Sequence, residues 1–346
     1  MATADGSTNT TPGAGGRSVT IYDVAEAAGV APSTVSRAFS RPGRVNAETG
    51  ERIRELAEQM GYRAGPQARM HTPSRTGMLA VVLADVSNPV FYESVRGAGA
   101  ACEAAGYTLL LAETAESAVR ERATLDRVLH SVDGLVLTAS RISDSAVRQV
   151  AKVKPVVVVN RVVPGVSSVV LDMGRGAYHA VEHLAKLGHR SITYLAGPEA
   201  SWADGMRWQG LRRAAEELGI QVRRVGPYDP TVNGGVGAAK AWVEHQAEAV
   251  VAYNDVMAVG FMRGVAACGA TVPEDVSVVG FDNTTVSELV TPALTTVAAP
   301  LHELGKVAAQ NALAIAGGAR PRSTEPMRLP TRLVVRESTG LAHVRG

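Results

Sequence analysis

Along residues 20–62 the apolar side chains recur with helical spacing in three short bursts. In the first, Ile21, Val24, Ala25 and Ala28 fall at i, i+3, i+4 and i+7; Thr20 stands where an N-cap belongs and Gly29 ends the run. The second opens on Pro32, a residue suited to a first helical position, and turns Val35, Ala38 and Phe39 to one side. The third starts behind Asn46 as N-cap, carries Ile53, Leu56, Ala57 and Met60 on one face, and stops at Gly61. Helices this short bury little surface, so they predict a small domain. Residues 63–77 hold two prolines, two glycines and three arginines and read as a linker.

Beyond the linker the period changes. Short unbroken apolar runs alternate with helical stretches: 78–84, 107–112, 134–138, 155–160, 191–197, 221–225, 249–255 and 276–282. Runs of Val, Leu and Ile without alternation suit strands covered on both faces, and strand–helix alternation predicts parallel α/β sheets. The series runs twice, which predicts two similar subdomains with a cleft between them. Ligands in such sheets bind beyond the carboxyl ends of the strands. Asp85, Asn160, Asn254 with Asp255, and Asp282 with Asn283 stand at those ends. For Asp255 the other role is to cap the following helix, and for Asp282 to cap its strand end.

Composition narrows the classes. The 346 residues are 46% hydrophobic, with no apolar run of membrane-spanning length. Residues 1–17 are polar and Gly-rich, without a charged n-region or apolar h-region; they read as a disordered tail, not a secretory signal, and predict a cytoplasmic protein. Net charge is +2, yet residues 17–75 carry nine arginines against six acids. A positive excess confined to one small segment fits a nucleic-acid-binding module on a nearly neutral body. Cys102 and Cys268 lie in separate Ala-rich helical stretches and read as two buried free thiols.

A helix that reads DNA exposes small polar and basic side chains while its other face packs inward. Pro32, Ser33, Ser36 and Arg37 are the outward positions of the second helix. The Arg37 fork suits guanine O6 and N7, or a phosphate. The hydroxyls of Thr20, Tyr22, Thr34 and Thr49 stand near helix ends and suit phosphate oxygens. With Asn46 they complete the contact set expected of the head.

The stretch VTIYDVAEAAGVAPSTVSRAFSRPGRVNAETGERIRELAEQMGY resembles the DNA-binding domain of lactose/galactose-repressor (LacI/GalR) family regulators. The resemblance continues through the chain in HLAKLGHRSITYLAG, VPEDVSVVGFDN and TPALTTV. It implies an α/β protein with an N-terminal three-helix helix-turn-helix domain and a two-subdomain, periplasmic-binding-protein-like core with parallel sheets. The implied organisation is a tail over 1–17, the helix-turn-helix over 18–63, a hinge linker over 64–77 and a core over 78–340. Within the core the N-subdomain takes 78–171 and 299–326, and the C-subdomain 172–298 and 327–340. Pro32, Ser33 and Arg37 would read bases in the major groove, and the linker would lie in the minor groove through Ala68, Arg69 and His71. Two positions depart from the family pattern. Ala31 replaces the usual Ser as recognition-helix N-cap, and His71 stands where an apolar side chain, usually Leu, would wedge between base steps.

By the same resemblance the effector positions are Asp85, Phe91, Asn160, Arg207, Asn254 and Asp282. Amides and carboxylates with one arginine suit vicinal hydroxyls, and an aromatic wall suits the apolar face of a sugar ring. Trp202, close before Arg207, is the candidate wall, its other role being surface or dimer packing. The expected protein is a homodimeric repressor of a near-palindromic DNA operator, responding to a small molecule, a sugar by expectation, with no cofactor and no metal. A tetramer is not expected, because the tail after Arg336 has no heptad stripe.

Two other readings compete. His179-Ala180-Val181-Glu182-His183 matches a zinc-peptidase pattern, but falls inside the phrase leading to HLAKLGH, which implies no metal. Walker A and G-x-S-x-G sequences are absent, and Gly97-Ala98-Gly99 falls in a predicted helix. A sugar-binding protein without DNA activity would fit the core alone; the N-terminal helices and the lack of a signal argue against it.

Overall fold

The structure is a computed structural model that describes residues 19–40, 42–62, 75–245, 247–319 and 325–342. The chain divides into two units, Met1–Arg75 and Thr76–Gly346. The tail over 1–17 and the hinge positions Ala68, Arg69 and His71 lie outside the described residues.

Among its described residues the first unit contains three α-helices, α1 (Ile21–Ala28), α2 (Pro32–Ser40) and α3 (Ala47–Gln59), with one 3-10 turn over Pro42–Arg44 between the last two. Val24, Ala25, Ala28, Val35, Ala38, Ile53 and Ala57 close its core, with Phe39, Leu56 and Met60 packed around them. The predicted ends hold. Gly29 leaves α1 in the left-handed conformation at φ 67°, where a residue lacking Cβ carries no steric penalty. The Asn46 side chain accepts from the Glu48 N–H to open α3.

The second unit holds two six-stranded sheets. The first contains β1 (Met78–Leu83), β2 (Thr108–Glu113), β3 (Gly134–Thr138), β4 (Val156–Val159), β5 (Ser167–Leu171) and β11 (Met327–Leu329), in the order β11-β5-β4-β3-β1-β2, every pair parallel. The second contains β6 (Ser191–Leu195), β7 (Gln221–Val225), β8 (Ala249–Ala252), β9 (Ser277–Asp282), β10 (Thr295–Ala298) and β12 (Arg332–Val334), in the order β12-β10-β9-β8-β6-β7. The edge strand β12 runs antiparallel to β10, a departure from all-parallel sheets. Both sheets reverse strand order beside their first strand, between β1 and β3 and between β6 and β8. Such a switch point opens a crevice at the carboxyl ends of the strands.

Helices cover both faces. In the N-subdomain these are α4 (Val90–Ala104), α5 (Ala118–Val128), α6 (Asp144–Val153) and α12 (Leu301–Ala316). In the C-subdomain they are α7 (Met173–Lys186), α8 (Trp202–Leu218), α9 (Val232–Val243), α10 (Asp255–Ala267) and the short α11 (Val286–Leu289). Gly97 of the Gly97-Ala98-Gly99 stretch belongs to packing: a Cβ on it would strike the His302 carbonyl, and one on Gly305 the Ser94 carbonyl. Close approach of α4 and α12 requires both.

Two expectations are corrected. Met327–Leu329 pairs with β5 in the first sheet, so the last crossing to the C-subdomain falls at residues 330–331 rather than 326–327; this three-residue strand is too short to carry a pattern. Cys102 is buried but Cys268 is exposed, because it lies one residue past the end of α10, off that helix's packed face.

Candidate DNA-reading face and effector cleft

On the first unit α2 buries Val35 and Ala38 and exposes Ser33 and Arg37, with Pro32, Thr34 and Ser36 half-buried. The Arg37 guanidinium donates to the Ser33 hydroxyl at 3.2 Å, one helical turn back. Tyr22 is 69% exposed, unusual for an aromatic with a core beside it. Thr20 is already engaged: its N–H and hydroxyl donate to the Asp23 carboxylate at 2.6 and 2.7 Å, closing the start of α1. The Asn46 carbonyl is likewise occupied by the Glu48 N–H, and Thr49 is half-buried. α3 is tied back to α1 by Arg52, which donates to the Ala28 carbonyl.

In the second unit a cleft of about 820 Å³, counting its open mouth, lies between the subdomains. Phe91, Asn160, Trp202, Arg207, Asn254 and Asp282 all line it. Asp85 does not: at the end of β1 its carboxylate accepts from the Ser87 N–H and hydroxyl at 2.8 and 2.7 Å. The turn two residues on supplies the donors that occupy the Asp85 carboxylate.

Arg207 sits at the centre, 3% exposed. Its Nη2 donates to Asp282 Oδ1 at 2.7 Å and its Nη1 to the Tyr253 carbonyl at 2.5 Å. The guanidinium carbon lies 4.7 Å from the Tyr253 ring centre and 4.6 Å from that of Phe281, stacking that favours the cation. Burial opposes the charge, but Asp282 and the neighbouring groups outweigh it and hold the pKa above the ordinary value. The buried Nε finds no acceptor among the described residues. Asp282 leaves β9 at φ 103°, a conformation that L-residues hold only under strain. Burial pushes its carboxyl up, and Arg207 pulls it part of the way back.

Asn254, not Asp255, caps α10: its Oδ1 accepts from the Met257 N–H at 2.9 Å while its Nδ2 donates to the Pro230 carbonyl. Asp255, one residue further on, turns inward. It accepts from the Thr284 N–H and hydroxyl and from the Thr296 hydroxyl at 2.6–3.0 Å. Burial, reinforced by the charge of Asp282, pushes its pKa up to about 7. Asn160, in the left-handed region at φ 55°, spends its side-chain carbonyl on the Leu171 N–H.

Other lining residues escaped the sequence reading. Tyr253 walls the cleft, its hydroxyl bonded to Ser201 at 3.0 Å. Ser201 caps α8 through the Asp204 N–H. Asp204 in turn accepts from the Tyr194 hydroxyl, the Gly197 N–H and Arg224, and so fixes the loop that presents Trp202. Arg141 donates twice to Glu116, at 2.5 and 2.8 Å, and reaches across the cleft to the Ala200 carbonyl at 3.1 Å. Arg161 pairs with Asp144 and donates to the Ser140 and Ile142 carbonyls. No local spacing marks these residues, because their partners are brought together only by the sheets. Among the described residues no cluster of three metal-ligating side chains occurs. In the His179–His183 stretch, His183 bonds to the Thr339 hydroxyl instead.

A helix-turn-helix with an exposed basic turn, carried by a chain whose other unit is two sheets hinged around a ligand-sized cleft, defines a ligand-responsive DNA-binding regulator. Comparison with known proteins gives the family. Residues 20–64 match the bacterial regulatory proteins of the lacI family, and residues 181–339 a periplasmic binding protein-like domain. The HTH-type transcriptional regulator DegA of Bacillus subtilis is 32% identical over 92% of this chain and 98% of its own. The solved Lac repressor dimer bound to operator and an anti-inducer superposes with a TM-score of 0.74 at 25% identity, covering 94% of this chain and all of that one. The regulator CelR in complex with cellobiose gives 0.68 at 30% identity, over 92% and 99%. This chain belongs to the lacI family of bacterial regulatory proteins and is a DNA-binding transcription regulator. None of its described helices is long and apolar enough to cross a membrane.

Proposed function

We propose that the chain is a cytoplasmic, homodimeric repressor whose two heads bind a near-palindromic operator, and that a sugar in the cleft changes its operator affinity. It acts by binding, without chemistry of its own. Pro32, Ser33, Ser36 and Arg37 read bases, and Tyr22, Thr34 and Thr49 hold phosphates, with Thr20 and Asn46 as helix-end contacts. Ala68, Arg69 and His71 remain the proposed minor-groove contacts. A two-fold operator follows from one reading helix per chain and two chains.

The observation that carries the sugar is the cleft wall. Phe91, Trp202 and Tyr253 offer aromatic surface beside the Arg207–Asp282 pair, the combination that suits a ring with one apolar face and equatorial hydroxyls. A ligand that binds the folded chain raises its melting temperature by mass action. A thermal-shift screen of sugars on the full chain is expected to find one that stabilises it; a flat response across pentoses, hexoses and disaccharides removes the sugar.

A further inference from the structure

Five charged side chains line the cleft: Glu116, Arg141, Arg161, Arg207 and Asp282. Each guanidinium is already neutralised. Arg141 holds Glu116, Arg161 holds Asp144, and Arg207 holds Asp282. Backbone carbonyls take further N–H groups on all three: Ala200 on Arg141, Ser140 and Ile142 on Arg161, Tyr253 on Arg207. The arginine side chains are 6%, 16% and 4% exposed, so the guanidinium groups do not exchange their partners for water at little cost.

The other device that holds phosphate, a helix N-terminus with free N–H groups, is largely in use. Five helices begin at the cleft, and four carry a side chain on their first turn: Asn88 accepts from Val90 on α4, Asp172 from Arg175 on α7, Ser201 from Asp204 on α8, and Asn254 from Met257 on α10; α12, opening at Leu301, has no side-chain cap. A phosphoryl group entering here would meet the carboxylates of Glu116 and Asp282 and would have to displace one of them from its arginine, leaving a half-buried Glu116 or a buried Asp282 without its counter-charge.

A neutral polyol faces no such conflict. A hydroxyl donates to a carboxylate that stays paired, and its oxygen accepts from a single N–H. We infer that the effector is an unphosphorylated sugar, and that the Glu116–Arg141 pair is what excludes sugar phosphates. The inference rests on the sugar reading above and narrows it.

The test pairs each neutral sugar with its phosphate: ribose with ribose 5-phosphate, glucose with glucose 6-phosphate, cellobiose with its 6-phosphate. Full-length protein is titrated with both members by thermal shift and calorimetry. The expected result is a neutral sugar that binds at least about tenfold more tightly than its phosphate, the scale on which a displaced charge pair is felt. Equal or tighter binding of the phosphate overturns the inference and leaves the sugar reading standing; binding of neither kind removes both. Glu116→Gln frees Arg141, so a variant that melts cooperatively is expected to narrow the neutral-to-phosphate ratio by about tenfold. An unchanged ratio in that variant removes Glu116 and Arg141 from the discrimination. If the variant does not fold, the wild-type pairs decide.

Discussion

Arg37 and Arg207 are the same side chain in opposite settings. Arg37 stands exposed on α2 and leans on the Ser33 hydroxyl at 3.2 Å. Arg207 is buried, bound to Asp282 and a backbone carbonyl, and stacked between two rings. The head keeps its donors in water, and the energy of using them is realised only when a partner arrives. The cleft has spent nearly all of its donors internally, so it is built in advance and its ligand must fit what remains. The difference teaches that substitutions in the head should act on binding alone, whereas substitutions in the cleft should act on folding and binding together.

Arg207→Ala gives the sharpest contrast. It strands the Asp282 carboxylate, 7% exposed, and removal of one partner from a buried pair costs about 3–5 kcal/mol. Urea denaturation should register that loss along with the loss of ligand response. Stability within error of wild type would show that the pair is not structural.

The pH dependence of the core separates the regions next. The Asp255 carboxyl titrates near 3.8 when unfolded and is pushed up to about 7 when folded, by burial and by the charge of Asp282. A raised acid pKa means that the folded chain retains a proton the unfolded chain has released. Its contribution is therefore fully present below about 4 and is lost as pH rises to about 7, with no further change above. Asp255→Asn should flatten that part of the stability profile, other groups titrating equally in both proteins. An identical slope in variant and wild type would refute it.

Arg37→Ala should leave the melting temperature where it is and cost about 1–3 kcal/mol of specific operator binding if it reads a guanine. Unchanged discrimination between operator and random DNA removes that role. Asp85→Ala should do least: its carboxylate caps the Ser87 turn outside the cleft, so ligand affinity and stability should move by no more than about 0.5 kcal/mol. A strong loss of ligand binding would return Asp85 to the site.

The same contrast explains what was legible in the sequence. Head elements are local: Thr20, Gly29, Asn46 and Gly61 mark helix ends within a few residues of the groups they serve, so α1 to α3 were readable from spacing. Short apolar runs announced eight of the strands. β5, β10, β11 and β12 were missed, being three to five residues long with mixed Ser, Thr and Arg content, and defined by their neighbours rather than by their own pattern. In the cleft, the strand-end positions Asn160, Asn254 and Asp282 were visible because topology places strand ends there. Their partners were not. Arg207 meets Asp282 across 75 residues and Arg141 meets Glu116 across 25, and no local period encodes which carboxylate an arginine will find. The two roles open to Asp255 were undecided for a related reason: Asn254 and Asp255 are both good caps of α10, and the choice is made by Thr284 and Thr296, distant in sequence, which claim Asp255.

The central claim is that occupancy of the cleft changes what the head does to DNA. It is tested most directly by selecting an operator from random duplexes with the full chain, then following its binding by fluorescence anisotropy with and without the sugar that raises the melting temperature. Coupling of this kind is expected to shift the operator dissociation constant by about 5–150-fold, and Arg207→Lys, which cannot reproduce the forked contacts, should abolish the shift. A sugar that stabilises the core while leaving the operator dissociation constant unchanged would contradict the claim.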